Sequence, residues 1–120
     1  METCTITVPF VPPSLNHYVM HTRGGRHVLT PEAKAFKAAV AVFAQDAPRW
    51  TGKDTRYRVE IDIWLGHNQK GDIDNFPKLV LDGVRDAGVI HTDAAVRQLT
   101  VRLWRDPEKP RTQIAIWADL

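Results

Sequence analysis

Asp72, Asp74, Lys78 and Asp93 are the residues of this 120-residue chain whose types and spacing could do chemistry. Asp72 and Asp74 stand two apart where a polar loop, His67 to Gly71, meets the start of an amphipathic helix. In extended backbone, residues two apart point the same way, so both carboxylates can address one point. The free N–H groups of the helix start lie beside them and suit an anionic ligand such as a phosphate. Lys78 is one turn further on, spaced to pair with Asp74, bind a phosphate or stabilise charge that builds during phosphodiester cleavage. Asp93 follows Gly88 by five residues and joins the others only if Val89–Thr92 folds back along the sheet. Convergent carboxylates are hard oxygen donors of the kind Mg²⁺ or Mn²⁺ prefers. A cation held this way can neutralise a phosphate oxygen and activate water. Spacing alone leaves another reading open, because an Asp-x-Asp at a helix start is more often a cap and turn. Asp74, Lys78, Asp82 and Asp86, four apart, also describe an ordinary solvated helix face.

The surrounding elements must position these groups. Thr5–Phe10 alternates with period two and reads as a first strand, Pro9 favouring an edge position or a strand end. His17 to Leu29 reads as a loop or loose hairpin around Gly24-Gly25. Thr30-Pro31-Glu32 is a helix start, and Phe36, Val40 and Phe43 give that helix one buried stripe through about Ala47. Tyr57, Val59, Ile61, Ile63 and Leu65 alternate strictly with polar residues and Trp64, the clearest strand in the chain. A second helix begins near Asp74 or Asn75, tolerates Pro77 in its first turn, and ends around Gly88 in a left-handed cap. Its inner stripe is Phe76, Leu79, Val80, Val84 and Ala87. Leu99, Val101 and Leu103 mark another strand, Asp106–Pro110 a turn, and Ile114 and Ile116 a returning strand. The expected fold is α+β: one small domain over residues 1–120, with a mixed β-sheet and two main helices.

Composition narrows the partners only mildly. Sixteen Lys and Arg against fourteen Asp and Glu give a net charge of +2, too little to establish a nucleic-acid partner by itself. The distribution says more: acids gather in Asp72–Asp93, between basic stretches at His17–His27 and Arg97–Arg111. The single cysteine, Cys4, excludes an intrachain disulfide and a cysteine zinc site, and points to a reducing compartment. Neither a signal peptide nor an apolar run of membrane-spanning length is visible. The expectation is a soluble cytoplasmic protein without a membrane partner.

The run Asp72-Ile73-Asp74-Asn75-Phe76-Pro77-Lys78, followed by Asp82, Gly88 and Asp93, resembles the signature of the RusA family of Holliday-junction resolvases. Pro12-Pro13-Ser14-Leu15-Asn16-His17-Tyr18, Gly25-Arg26 and the Thr30-Pro31-Glu32-Ala33 helix start are similar too, so the resemblance runs from about Ile6 to Trp104. It implies a Mg²⁺-dependent endodeoxyribonuclease, Mn²⁺ substituting, that resolves four-way DNA junctions by symmetric cleavage in recombination and repair. It implies metal ligands at Asp72, Asp74 and Asp93 and an essential Lys78. It also implies a homodimer whose two-fold axis matches that of the junction, and a bacterial host with a prophage or phage origin. Asn75 reads as a group that orients Asp74. One departure is Thr92-Asp93 where the family commonly has two adjacent acids: Thr92 can only hydrogen-bond there, which leaves one or two metals open.

His17, Arg23, Arg26, His27 and Lys70 are candidate DNA contacts. His17 and His21 are four apart, but the prolines before and glycines after them disfavour the helix a zinc pair would need. His91 reads as a turn residue. Trp50, Trp64, Trp104 and Trp117 could stack on unpaired bases, with packing the commoner role, and Arg97, Arg102 and Arg105 suit a DNA surface or a polar outer sheet face equally. The alternatives to a resolvase are a DNA-structure-binding protein that has lost catalysis and a metal nuclease for other branched nucleic acids.

Overall fold

The computed structural model describes residues 1–14, 19–21, 23–25 and 27–120. Four strands form one mixed sheet: β1 (Glu2–Val8), β4 (Arg56–Leu65), β5 (Val96–Arg105) and β6 (Arg111–Asp119), in the order β1-β6-β4-β5. β6 runs antiparallel to both β1 and β4, while β4 and β5 are parallel. A separate two-stranded ribbon pairs β2 (Val19–His21) with β3 (His27–Leu29), which is the hairpin expected there. The first strand starts earlier than the Thr5–Phe10 alternation predicts and stops at Val8. Pro9 cannot donate to the ladder, and β1 is indeed at a sheet edge.

Period-two alternation puts Val59, Ile61, Ile63 and Leu65 of β4 on one face, beside Ile114, Ile116 and Ala118 of β6 and Ile6 and Val8 of β1. Both helices cover that face. Helix α1 (Pro31–Phe43) opens on Thr30, whose Oγ1 accepts from the Ala33 N–H at 3.2 Å, with Pro31 at the first position. Its buried stripe is Ala33, Phe36 and Val40, continued by Ala44 beyond the helix end. The structure corrects one position: Phe43 is half exposed, because the row 33, 36, 40, 44 closes one face and residue 43 falls beside it.

Helix α2 (Pro77–Asp86) is shorter than the pattern predicts. Ile73–Asn75 is a separate 3₁₀ turn, and the proline, lacking an N–H, starts the α-helix rather than sitting inside its first turn. The end of α2 is a Schellman motif. Gly88 adopts φ +83°, its N–H donates to Arg85 O (2.9 Å), and the Val89 N–H donates to Val84 O (3.0 Å). Val84 and Val89 are both fully buried, the hydrophobic contact such a cap needs. Val89 O then accepts from the Trp50 N–H (3.2 Å), and Ile90 enters the core. The chain reverses here and returns towards the helix.

His91 is more than a turn residue. The Tyr57 hydroxyl lies 2.7 Å from its Nδ1, accepts from its backbone N–H (3.3 Å), and is 3.3 Å from Trp50 O. This buried tyrosine ties the segment leading to Asp93 onto β4. Tyr57→Phe keeps the ring and removes these bonds, so it should cost about 1–3 kcal/mol in urea unfolding. A loss under a few tenths of a kcal/mol would show that the hydroxyl anchors nothing.

Candidate active site

Two backbone devices set the turn that carries Asp72 and Asp74. After β4 the chain makes a tight turn in which the Gln69 N–H donates to Gly66 O (3.2 Å) and Gln69 Oε1 accepts from the Gly66 N–H (2.6 Å). Arg105, at the end of β5, clamps this turn from outside, donating to Gly66 O (3.0 Å) and Gln69 O (3.2 Å). Further on, Gly71 lies against the Phe76 ring so closely that a Cβ would sit 2.6 Å from Phe76 Cζ. With Phe76 buried, only glycine fits between ring and loop. The 3₁₀ turn Ile73–Asn75 then packs on α2 and β5, and the Asn75 N–H donates to Asp72 O (2.9 Å).

Asp72 and Asp74 are both exposed, and among the described residues neither carboxylate has a hydrogen bond or ion pair. The capping alternative therefore fails for Asp72: it occupies the N-cap position of the 3₁₀ turn, but its side chain makes no cap bond. Asn75 is half-buried, and among the described residues its amide makes no hydrogen bond to Asp74.

Asp93 has the opposite environment. It opens a 3₁₀ turn (Asp93–Ala95) that packs on α2, so Val89–Thr92 folds back towards that helix. Its Oδ2 lies 3.6 Å from both Lys78 Nζ and Arg85 Nη1. Both cations are held by Asp82, at 3.0 Å from Lys78 and 3.3 Å from Arg85. Here the structure departs from a solvated helix stripe: Asp82 is 5% exposed. Lys78, Asp82 and Arg85 stand at i, i+4 and i+7 and share one helix face. Lys78 pairs with Asp82 rather than with Asp74. Arg85 also holds Asp86 (3.2 Å), which Lys37 of α1 pairs from the other side.

The hydrogen bond to Asp82 raises the Lys78 pKa above the ordinary 10.5, with the Asp82 and Asp93 charges adding to it. Lys78 is thus a permanent cation at neutral pH, suited to phosphate binding and charge stabilisation and unsuited to acting as a base. Thr92 Oγ1 accepts from the Ala94 N–H (3.2 Å) and so caps the turn that presents Asp93. Among the described residues no three His, Cys, Asp or Glu side chains are gathered closely enough to hold a metal. The donor chemistry nonetheless fits a hard divalent cation: three carboxylates without sulphur, two of them unpaired.

Of the proposed DNA contacts, Arg23, His27 and Lys70 are exposed, while His17 and Arg26 lie outside the described residues. The arginines of β5 are engaged with the protein: Arg97 donates to Ala94 O (2.7 Å), Arg102 pairs with Glu60 and Asp62, and Arg105 holds the loop. Trp50 is buried, Trp64 and Trp117 lie under the guanidinium groups of Arg111 and Arg58, and Trp104 donates to Asp62. Packing accounts for Trp50, whereas Trp104 remains half exposed. Arg85, missed in the sequence, was signalled by its spacing of three from Asp82 and seven from Lys78. A cavity of about 610 Å³ between the Phe10–Ser14 segment, α1 and the loop before Asp72 is lined by Phe10, Phe36, Phe76 and Lys70, and none of the site acids lines it.

An acid-bearing turn, a helix cation and a returning acid stand on this α+β sheet, and comparison with known proteins says which family carries them. The sequence model described as Endodeoxyribonuclease RusA matches residues 9–117. The chain is 33% identical over 96 residues to the crossover junction endodeoxyribonuclease RusA of Escherichia coli strain K12. It is 31% identical over 96 residues to the protein of that name from Enterobacteria phage 82. Both matches cover 80% of this chain and 78% of the relative. This chain belongs to the RusA family of endodeoxyribonucleases.

Two outcomes test this geometry. Because the Lys78 pKa is raised on folding, its stabilising contribution is complete below 10.5 and is lost only as pH rises through the higher folded value. The stability difference between wild type and Lys78→Gln should therefore be flat between about pH 6 and 9; a slope there would contradict the Asp82 pairing. Gly71→Ala must displace the Phe76 ring and should cost about 1–3 kcal/mol, measured by thermal unfolding.

Proposed function

We propose that this protein is a Mg²⁺-dependent endonuclease that resolves four-way DNA junctions, with Asp72, Asp74 and Asp93 as cation ligands and Lys78 as the phosphate-facing cation. The observation that carries the reading is the pair of bare carboxylates at Asp72 and Asp74, set one helix turn before a lysine that stays protonated. Two negative charges with no protein cation among the described residues match one divalent ion, so the expected stoichiometry is one per chain. Such an ion supplies charge neutralisation at a phosphate oxygen and eases deprotonation of water.

The chain's own groups then divide the work. Asp72 and Asp74, on the turn that follows the Gly71–Phe76 contact, fix where the cation sits. Asp93, drawn to α2 by Lys78 and Arg85, is the third ligand. Lys78 offers its ammonium to the scissile phosphate and stabilises charge that grows on the leaving group. One such site cuts one strand. A homodimer presents two sites about a two-fold axis, which suits paired cuts across a junction of matching symmetry. Exposed Arg23 and Lys70 are the flanking cations, and His27 a flanking hydrogen-bonding group, for the DNA backbone.

The decisive experiment is cleavage of a synthetic four-way junction with and without Mg²⁺, against linear duplex and single-stranded controls. Wild type should nick the junction only with Mg²⁺ or Mn²⁺. Asp72→Asn and Asp74→Asn should each lower the rate by roughly a hundredfold or more, a loss of about 2.7 kcal/mol in transition-state stabilisation, while junction affinity in gel shift stays near wild type. Junction binding without metal-dependent product in wild type would reassign the protein as a structure-binding module. Equal cutting of other branched substrates would make it a broader nuclease.

A further inference from the structure

We infer that Arg85 is a positioning residue for Asp93, holding that carboxylate as a resident counter-ion that a divalent cation must displace. The inference rests on the metal reading above and adds the competitor for one of its ligands. Three carboxylates surround the guanidinium. Asp82, buried on the same helix, is 3.3 Å from Nη1, and Asp86, next in sequence, is 3.2 Å from Nη2 and is itself held by Lys37. Asp93 is the outlier at 3.6 Å, an ion pair beyond good hydrogen-bond length. It is also the only one of the three on another element, the 3₁₀ turn. The two helix acids therefore fix Arg85 whether or not Asp93 is present, and Asp93 is the partner free to leave.

A rigid positive charge at this distance has a calculable consequence. Asp93 cannot serve a metal ion fully while it neutralises Arg85 and Lys78, and the guanidinium repels any cation that approaches its oxygens. Removing the charge while keeping a polar side chain should tighten cation binding on the order of threefold to tenfold, for charges a few ångströms apart near a surface. Lysine at the position keeps the charge and should keep the wild-type affinity.

The test is Mn²⁺ titration of the full-length, DNA-free protein, followed by the paramagnetic resonance signal of free Mn²⁺, for wild type, Arg85→Gln, Arg85→Lys, Asp93→Asn and the Asp93→Asn/Arg85→Gln double variant. Circular dichroism confirms that each variant is folded. The expected pattern is tighter binding in Arg85→Gln, near wild type in Arg85→Lys, and no effect of Arg85→Gln when Asp93 is already Asn. Unchanged or weaker binding in Arg85→Gln overturns the inference, as does a gain that persists without the Asp93 carboxylate, since Arg85 would then act elsewhere. A wild type that binds no Mn²⁺ sinks both this inference and the metal reading. A wild type that binds Mn²⁺ but is indifferent to Arg85 sinks only the inference. Should Arg85→Gln fail to fold, equal Mn²⁺ affinities of Arg85→Lys and an Arg85→Met variant would overturn the competition equally well.

Discussion

A carboxylate shut away from water must be paired and hydrogen-bonded, and Asp82 takes two cations from its own helix, Lys78 four residues before and Arg85 three residues after. The rest of the site descends from that pairing. Asp82 is placed by α2, whose Leu79, Val80 and Val84 sit in the core, so its oxygen is as fixed as the packing is. The two long cationic side chains inherit that position, and Asp93 settles against them. Lys78 and Arg85 remain substantially exposed, so pairs of this kind contribute little to global stability. Their value is geometric: two side chains with many rotamers are confined to a single arrangement around a returning acid.

Bringing Asp93 to that arrangement needs a sharp reversal only a few residues after the helix. The Schellman motif at Gly88 makes the turn, and burial of Val89 and Ile90, each contributing about 1.5–3 kcal/mol, holds it. Tyr57 then fixes His91 from below, so the segment has a backbone cap at one end and a hydrogen-bonded anchor at the other. Thr92 caps the next turn with its hydroxyl. An acid at that position could also have capped the turn, so the threonine keeps the shape of the segment while removing one negative charge from the neighbourhood of Asp93.

Much of this was legible in the sequence where one physical rule dominates. Strict alternation from Tyr57 to Leu65 marked the central strand, because one face meets helices and the other meets polar groups. The cap at Thr30 and the glycine at 88 marked helix ends, because each satisfies a specific backbone demand. Legibility failed where the answer depends on which neighbour arrives in space. Phe43 reads as core by type, yet the helix phase turns Ala44 inward in its place. Asp82 reads as one member of a solvated stripe, and only the fold shows that the same face is closed over by Asp93. Arg85 belongs to that face by spacing, but a lone arginine late in a helix is ordinarily a dipole partner and gives no sign of a carboxylate eight residues further along the chain, about 27 Å of extended backbone. The family resemblance supplied Asp93; the turn that delivers it had to be seen.

The two halves of the site differ in electrostatic completeness, and that difference bears on how DNA would be met. On the Asp93 side every charge has a protein counter-charge, so that half is ready-formed and presents little net field. On the Asp72–Asp74 side two carboxylates stand exposed without a protein counter-charge among the described residues. A phosphate approaching there meets repulsion that Lys78 alone cannot cancel. In the function proposed here Asp72 and Asp74 would hold a divalent ion that reverses that sign, and the ion that would serve the reaction would also admit the substrate. The Gly71–Phe76 contact fixes the backbone that leads into this turn, so where the two carboxylates leave the chain is set by packing before any ion arrives.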